Sequence, residues 1–442
     1  MGRAKRHDNL SEDGRFRKER ELSFTSSPSN ERNAVRSPAA SQSQIEPIGH
    51  RERRVWPADP SSYASRRVRR GGAYEVFIPA PIADRSFPLG DEAGAAVAEA
   101  TKALGRLGGT TPQLASLDAL ARNVLRSESV ASSRIEGVAI SHKRLARAAY
   151  AGESGRRGDP RAAEVLGNVE AMERVIELGS ESQELTVADI EEIHRTLLRY
   201  TDDQGIAGVI RDKQNWVGGN DYNPVGADYV PPPHELVGEL LEDLCRFAAR
   251  EDLAAVTQAA VAHAQFENIH PFADGNGRTG RALIYTILRR RGEISEFIPP
   301  ISLVLASQPK AYIGGLGAYS EGKVDVWCER FAIATARAAH EAQQVTAAIE
   351  EREARWLERL GHPRKDSAVR QLIRELPAHP VLDVASGQHL TGKTRPAVTN
   401  AINQLAAAGI VQPLNERKWG RVWECGELLD LVTDFEKSVS TR

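Results

Sequence analysis

The stretch that decides the fold of this chain runs from His270 to Arg281 and reads His-Pro-Phe-Ala-Asp-Gly-Asn-Gly-Arg-Thr-Gly-Arg. Apolar residues recur at helical spacing on both sides of it, in 253–266 and in 283–288. Inside it, Pro271 disfavours helix at the residue before it, and the glycines relax the backbone. The pattern therefore predicts a helix, a short loop and a second helix.

The residue types in this stretch indicate a polyphosphate site. A Gly-Asn-Gly turn at 275–277 that opens a helix points successive backbone N–H groups at one spot, where the helix dipole also favours negative charge. Arg278 and Arg281 share one face of the first turns of that helix. His270 supplies an acid or base at the mouth of the cradle, and Asp274 a carboxylate for a metal. Each feature alone is usually an ordinary turn or a solvated face, but their joint occurrence is not.

At every specified position the run resembles the signature of the Fic/Doc family, His-x-Phe-x-Asp/Glu-Gly-Asn-Gly-Arg-x-x-Arg. The resemblance implies transfer of AMP from ATP to a Tyr, Ser or Thr hydroxyl of a protein, with His270 as general base and Asp274 as the Mg²⁺ ligand. Phe272 would be a buried anchor of the loop, and His194, in an upstream helical stretch, a core residue without a catalytic role. The resemblance also implies which residues surround the nucleotide: Asp274, Gly275, Asn276, Gly277, Arg278, Thr279, Gly280 and Arg281, with Tyr312 as a further aromatic.

A second informative stretch, residues 132–137, reads Ser-Ser-Arg-Ile-Glu-Gly. Ser132 and Glu136 are four residues apart, so they share one face of a helix, and Gly137 is placed to end it. Alone, the pattern is equally typical of an ordinary helix end. Together with the first run, it resembles the inhibitory signature of N-terminally autoinhibited Fic proteins, Ser/Thr-x-x-x-Glu-Gly/Asn. The resemblance implies that Glu136 occupies Arg281, so that the γ-phosphate of ATP cannot take its productive place.

The fold is predicted to be all-α. Residues 1–70 are rich in Arg, Ser, Glu and Pro and poor in aliphatics, so they should form a disordered basic tail. The resemblance implies a Fic-type helical bundle with a short β-hairpin flap, followed by a small winged-helix (α+β) domain. The expected boundaries are 71–150 for the N-terminal Fic-associated region with the inhibitory helix, 151–362 for the catalytic core and 363–442 for the winged helix-turn-helix domain.

A long segment rich in Gly, Asn, Asp and Pro interrupts the helical pattern at residues 205–233. Loops of this length inside a domain are usually functional or disordered. Residues 214–219 have enough strand character for the edge of a β-hairpin. In the Fic family the corresponding hairpin is the flap, which implies that it holds the target protein by strand addition. The target could also be this chain itself, through auto-AMPylation.

The pattern changes again after residue 363. Helices are predicted at Ser367–Leu376 and Thr394–Ala408, and strands at Ile410–Leu414 and Arg421–Glu424. This order resembles a winged helix. It would present to a DNA major groove Lys393, Arg395, Thr399 and Asn400, with Arg417 and Lys418 on the wing. Alternatively, the module only packs on the catalytic domain or on a protein partner.

Composition and charge bear on the cellular compartment of the chain and on its classes of partner. The net charge of −2 argues neither for nor against nucleic acid or membrane, and three cysteines without a Cys-x-x-Cys fit a reducing cytosol. No apolar run reaches the ~20 residues that span a bilayer. The protein is predicted to be cytoplasmic and without a membrane partner.

Three alternatives remain for the activity. The same site could remove AMP from a modified protein, with Glu136 aligning a water. Other members of the family use other nucleotide or phosphocholine donors. The chain could also be a DNA-binding regulator in which the Fic core is secondary.

Overall fold

The computed structural model describes residues 47–61, 63–109, 116–153, 159–180, 184–295, 297–414 and 420–441. Helices make up most of the described chain and the sheets are small, which confirms the all-α prediction. None of the described helices is long and apolar enough to cross a bilayer.

The chain begins its regular structure with an antiparallel strand pair, β1 (Gly49–Trp56) and β2 (Gly72–Pro79), joined through the short helix α1 (Arg66–Arg69). The prediction of a disordered tail over residues 1–70 is wrong for residues 49–56 and 66–69, whereas residues 1–46 lie outside the described part. Strand β1 was not predicted because four of its eight residues are charged. Backbone pairing to β2 along its full length holds it, and Trp56 packs edge-on against Trp216 at 5.8 Å.

A bundle of helices follows and forms the main core. Its helices are α2 (Asp91–Gly108), α3 (Leu117–Ile135), α4 (His142–Glu153), α5 (Pro160–Ser180), α6 (Val187–Leu197), α7 (Val237–Ala249, after a 3-10 turn at His234–Leu236), α8 (Ala255–Ile269), α9 (Asn276–Arg290), α10 (Ile301–Ser307), α11 (Pro309–Ser320) and α12 (Val324–Arg359).

Helix α8 is the centre of this bundle. Of its fifteen residues all are buried except Glu267, which is partly buried, and the buried set includes the polar Gln258 and His263. Small residues also let α9 approach α8 closely: a Cβ at Gly280 would lie 2.8 Å from Phe266 Cδ1. The predicted helices on either side of the loop are therefore packed against each other, and the loop between them is held at a rigid position.

Gly167 marks another close crossing, where α5 passes the end of α6. A Cβ at Gly167 would overlap the backbone carbonyl oxygen of Leu197, which cannot move as a side-chain tip would. We expect Gly167→Ala to lower the free energy of unfolding by about 1–3 kcal/mol, measured by denaturant unfolding. Gly105→Ala in α2 is the matched control, because nothing lies within 4 Å of a Cβ there. Gly105→Ala should raise the free energy of unfolding by roughly 0.5–1 kcal/mol. If both substitutions changed it by the same amount, the close approach of α5 and α6 at Gly167 would be contradicted.

The segment at 205–233 forms less sheet than predicted. The expected hairpin is a single antiparallel bridge, in which Val217 and Tyr229 exchange N–H···O bonds of 2.9 and 3.2 Å. Pairing stops there because Gly218 and Gly219 both have left-handed backbone, with φ of 74° and 78°, which a strand cannot continue through. The flap, residues 205–233, is therefore a loop with a single β-bridge in place of a hairpin.

The C-terminal module consists of four helices and three short strands. They are α13 (Ala368–Glu375), β3 (Val381–Leu382), α14 (Val384–Thr391), α15 (Arg395–Ala407), β4 (Gln412–Pro413), β5 (Trp423–Glu424) and α16 (Gly426–Thr441). The strands form one antiparallel sheet in the order β3-β5-β4. The two predicted helices and two predicted strands are present, whereas α14, β3 and α16 were not predicted. Arg417 and Lys418 lie outside the described residues.

Candidate active site

The loop between α8 and α9 takes the conformation that its sequence favours. Helix α8 ends at Ile269, the next residue, His270, has a left-handed backbone with φ 49°, and Gly275 has a left-handed φ of 74° just before α9 begins. The helix–loop–helix prediction is confirmed. A left-handed non-glycine residue costs energy and persists only where its surroundings hold it.

The loop is closed by its own side chains. Asn276 Oδ1 accepts a hydrogen bond from the Phe272 N–H, and Asn276 Nδ2 donates one to the Phe272 carbonyl, both at 2.8 Å. Phe272 is fully buried, as expected for an anchor. The side chain of Asn276 is therefore engaged in the loop, and only its backbone is left to contact a phosphate.

His194 of α6 holds the loop from the other side. Its ring is stacked on that of Phe272 at 3.8 Å, its Nδ1 accepts from the Gly208 N–H at 2.9 Å, and its Nε2 lies 3.0 Å from the Asp274 carbonyl oxygen. Because Nδ1 accepts, Nε2 carries the proton and donates. His194 is buried as interpreted from the sequence, and it also ties α6, the flap segment and the motif loop together.

Burial lowers the pKa of His194 to about 4, from an ordinary 6.5. Between these values the unfolded chain binds a proton that the folded chain does not, so the free energy of unfolding must fall as pH falls from about 6.5 towards 4. The full difference corresponds to about 3 kcal/mol. We expect the stability gap between the wild-type chain and His194→Gln to narrow over this range in denaturant titrations. If the free energies of unfolding of the two chains changed in parallel with pH, the lowered pKa of His194 would be contradicted.

Arg211 and Asn215 fasten the flap segment to the motif. Arg211 is buried, its Nε donates to the His270 carbonyl at 2.9 Å, and one Nη donates to Pro232 at 2.6 Å. Asn215 Nδ2 donates to the Phe272 carbonyl at 2.9 Å. Sequence reasoning missed both residues; the only signal is a charged residue inside a loop rich in Gly and Pro. Together they hold the left-handed backbone of His270.

His270 and Asp274 differ in their surroundings. The His270 side chain is only partly exposed, and burial lowers its pKa to about 4, so the ring is neutral near pH 7. The Asp274 carboxylate is 64% exposed, with Oδ2 3.5 Å from an Nη of Arg278. A neutral imidazole and an exposed carboxylate thus stand at the two ends of one loop.

Asp274 fits the needs of Mg²⁺. That ion is usually held by one or two carboxylates plus the phosphates of its nucleotide, and seldom by a cage of protein groups. Among the described residues no three His, Cys, Asp or Glu side chains converge into such a cage. An exposed carboxylate beside a helix N-terminus is the kind of ligand set that a nucleotide-borne Mg²⁺ would complete.

Both arginines of the motif have carboxylate partners. The Arg278 side chain is 3% exposed, and its Nη1 donates to Glu164 at 2.6 Å. The Arg281 side chain is 1% exposed, and its Nη2 donates to Glu136 at 2.8 Å. Each guanidinium that was predicted to bind phosphate is therefore already paired with an anionic group.

Arg281 binds the end of α3 through three hydrogen bonds. Besides the bond to Glu136, its Nε donates to Ser132 Oγ and its Nη2 to the Ser132 carbonyl, both at 2.9 Å. Burial alone would lower the pKa of Arg281, but nearby Tyr312, Glu136 and Glu267 hold it above the ordinary value. Arg281 is thus a permanent buried cation, which is stable only beside an anion.

The Glu136 carboxylate also lies against the first turn of α9. A Cβ at Gly277 would overlap Glu136 Oε1, so only glycine leaves room for the carboxylate there. Helix α3 ends just before Glu136, and Gly137 follows with a left-handed φ of 83°. The structure therefore brings Ser132, Glu136, Gly277 and Arg281 to one place, although the inhibitory role of Glu136 stays a prediction.

Further titratable groups surround Arg281. Burial raises the pKa of Glu128 and of Glu267 to about 7 each, against the attraction of the guanidinium. Tyr312 is buried, and its hydroxyl lies 2.8 Å from His263 Nε2. Its place beside the nucleotide stays a prediction. Thr279 donates to the Gly275 carbonyl at 3.0 Å and supports the first turn of α9.

Two family models match this chain. Residues 184–288 match the model described as Fic/DOC family, and residues 95–177 match Fic/DOC family N-terminal. Among curated proteins, the chain is 35% identical over 153 residues to protein adenylyltransferase Fic of Drosophila willistoni, covering 34% of this chain and 28% of the relative. It is 35% identical over 138 residues to protein adenylyltransferase fic-1 of Caenorhabditis briggsae, covering 30% and 24%. The chain thus spans about a quarter of the length of these relatives.

Solved structures give a weaker likeness. A Fic family protein from Desulfovibrio desulfuricans G20 has a TM-score of 0.48 and 22% identity, covering 77% of this chain and 97% of that chain. Fic-1 from Caenorhabditis elegans has a TM-score of 0.44 and 25% identity, covering 58% and 74%. The two family matches contain the described loop and the end of α3. Residues 184–288 are therefore similar to the Fic/DOC family, and residues 95–177 are similar to the N-terminal region of that family.

Proposed function

We propose that this chain is a cytoplasmic, Mg²⁺-dependent protein adenylyltransferase, which transfers AMP from ATP to a Tyr, Ser or Thr hydroxyl of a protein. The observation that carries the proposal is the convergence of a neutral imidazole, an exposed carboxylate and two guanidiniums on the N-terminus of α9. Such a terminus favours anions through its free N–H groups and its dipole. The curated relatives named above are protein adenylyltransferases.

The reaction assigned to this site is a displacement at the α-phosphorus of ATP. His270 takes the proton of the target hydroxyl, whose oxygen forms a bond to the α-phosphorus while the bond to the pyrophosphate oxygen breaks. The products are the AMP-protein and pyrophosphate. The N–H groups of the α9 N-terminus and the guanidiniums of Arg278 and Arg281 bind the phosphates, a task that suits the planar fork of arginine. Bound Mg²⁺, held by Asp274, would neutralise phosphate charge.

Inhibition follows from competition for Arg281. Its permanent charge needs one anion, and Glu136 supplies it at 2.8 Å. A γ-phosphate at the same guanidinium would have to displace this carboxylate, which also covers the first turn of α9. We propose that the chain rests in an inhibited state until Glu136 moves away.

The flap is the proposed docking element for the target. Val217 is 43% exposed and forms a single bridge with Tyr229, and the proposal is that a strand of the target adds to this segment. Arg211 and Asn215 join this segment to the His270 loop. A target strand laid on it would bring its hydroxyl towards the imidazole, and another copy of this chain could serve as that target.

Mass spectrometry distinguishes AMP transfer from transfer of another donor group and from removal of AMP. A mixture of candidate proteins is incubated with the chain, ATP and Mg²⁺, and the digest is searched for AMP on Tyr, Ser or Thr. Parallel incubations replace ATP with other nucleoside triphosphates, with a phosphocholine donor, or with an AMP-modified protein as substrate. We expect AMP adducts with ATP. Adducts only from another donor, or only loss of AMP from the modified protein, would overturn the proposed donor or direction.

A second candidate activity, DNA binding, is favoured by the exposed face of α15. Arg395 and Asn400 are exposed on it while Val398 and Ile402 are buried, so polar side chains point outward from a helix packed on α13 and α14. Lys393 lies two residues before the start of this helix. The full chain should shift a DNA duplex in a gel, with affinity falling steeply between about 50 and about 200 mM salt. No shift on any duplex at the lower salt would leave the module a packing or protein-docking unit.

A further inference from the structure

The last helix of the chain, α16, makes a buried ionic contact with the inhibitory region. Glu436 is 4% exposed. Its Oε2 accepts from an Nη of Arg134 at 2.7 Å, and its Oε1 lies 2.6 Å from Nε2 of His142. Burial alone would raise the pKa of Glu436, but these two partners outweigh it and hold the pKa below its ordinary value. The carboxylate is thus charged and shared between α3 and α4.

Arg134 lies in the same helical turn as Glu136. The Arg134 carbonyl accepts the Gly137 N–H at 3.0 Å, and the Ser133 carbonyl accepts the N–H groups of Glu136 and Val138 at 3.1 and 3.0 Å. This turn places the Glu136 side chain on Arg281. A force on Arg134 therefore acts on the backbone that carries Glu136.

His142 lies on the other side of the connection that leaves this turn. It is the first residue of α4 and it is buried. By binding Arg134 and His142 at once, Glu436 joins the end of α3 to the start of α4. The connection that contains Glu136 and Gly137 is consequently held at both ends by one carboxylate.

Other contacts fix the C-terminal module to α4. Arg147 forms two hydrogen bonds of 2.9 Å with Glu424, and Tyr150 donates to Asp383 at 2.9 Å. Arg147 and Tyr150 both lie on α4, so these pairs connect the module to the turn with Glu136 only through α4. Asn123 and Arg126 of α3 also donate to the carbonyls of Pro377 and Ala378, but Glu436 contacts α3 at Arg134, two residues before Glu136.

We propose that Glu436 is a positioning residue for Glu136, acting through Arg134 and His142, so that the seating of the C-terminal module sets how firmly Glu136 occupies Arg281. This inference rests on the proposed function in that the activity held back is AMP transfer. A partner that lifts α16 from α3 would loosen the turn and free Arg281 for the γ-phosphate. The module would thereby act as the regulatory input to the site.

The rival explanation is that Glu436 merely stabilises the module. Glu427 provides the matched control, because it is an ion-paired glutamate on the same helix whose partners all lie on α12. It accepts from Arg352, Trp356 and Arg359 at 2.9–3.0 Å. Loss of either carboxylate removes ion pairs from α16, but only loss of Glu436 removes a contact with α3.

The test combines two measurements on the full-length chain. Hydrogen exchange of the amides of residues 133–138 reports the turn directly and needs no activity. AMP transfer is measured in the wild-type chain and in the Glu136→Gly background. We expect Glu436→Gln to speed the exchange of these amides and to raise transfer about fivefold or more in the wild-type background, the lower end of measured couplings between sites. It should change nothing further in the Glu136→Gly background, and Glu427→Gln should do neither.

A second variant, Arg134→Gln, breaks the same pair from α3 and should reproduce both effects. Unchanged exchange at 133–138 in both variants would overturn the inference, as would an equal rise in transfer with and without Glu136. If exchange rises as expected but Glu136→Gly itself transfers nothing, the positioning of the turn holds and the proposed function fails.

Discussion

Replacing His270 with alanine should abolish AMP transfer while ATP affinity stays close to that of the parent chain. A general base acts on the transition state and contributes little to ground-state binding, and its loss typically costs about 10²–10⁴ in rate. The experiment is best done in the Glu136→Gly background, where transfer should be measurable. The readouts are the transfer rate and the ATP affinity by calorimetry.

His270→Asn separates the base from the backbone. Asparagine tolerates the left-handed conformation of this residue (φ 49°) better than alanine does, so the loop held by Arg211 should persist. We expect this variant to be as inactive as His270→Ala, with ATP affinity retained. If ATP affinity collapsed together with the rate in both variants, His270 would be a structural residue and its assignment as base would be wrong.

Glu136→Gly should raise AMP transfer by about tenfold or more, most visibly as self-modification. The carboxylate pairs with Arg281 at 2.8 Å, and truncating one member of a buried, hydrogen-bonded pair usually costs several kcal/mol. Because the Glu136 side chain is 36% exposed, solvent screens the pair and we expect the lower part of that range. Glu136→Gly/Arg281→Ala should lose the gain, since the freed guanidinium is what activation requires.

Glu136→Gln is the control for helix destabilisation. Glutamine keeps the shape and helix propensity of glutamate and removes the charge that competes with a phosphate. It should activate as well, though less than glycine because its amide still fills the space beside Gly277. Wild-type rates in both Glu136→Gln and Glu136→Gly would make residues 132–137 a plain helix end.

Much of the site could be predicted because its residues are close in sequence. The loop from His270 to Arg281 has its glycines, its proline and its arginines at spacings that local geometry explains, and its helix–loop–helix form is confirmed. The contact of Glu136 with Arg281 joins residues 145 apart, so no spacing rule reveals it. It was expected only through the family resemblance.

The residues that support the loop could not be predicted for a different reason. Arg211 and Asn215 bind the carbonyls of His270 and Phe272, which are 59 and 57 residues away, and a backbone carbonyl has no sequence signature. His194 was correctly interpreted as buried, but its link to Asp274 depends on how α6 packs. Such partners become visible only when the tertiary structure is known.

Strand β1 and the contact of Glu436 show the same limit at the level of the fold. The charged residues of β1 give no strand pattern in the sequence. The strand is stabilised by pairing with β2 and by aromatic packing of Trp56. Helix α16 was not predicted, and Glu436 on it binds Arg134 across 302 residues. Long-range pairing of polar groups leaves no periodic pattern that a sequence could display.

The most direct test of AMP transfer by this site uses ATP labelled on either the α- or the γ-phosphate. The Glu136→Gly chain is incubated with each and with Mg²⁺, and the label that stays covalently bound to denatured protein is counted. We predict that the α-label is retained and the γ-label is not, and that His270→Ala in the same background retains neither. Retention of the γ-label, or of no label at all on this chain and on added proteins, would contradict the proposed function.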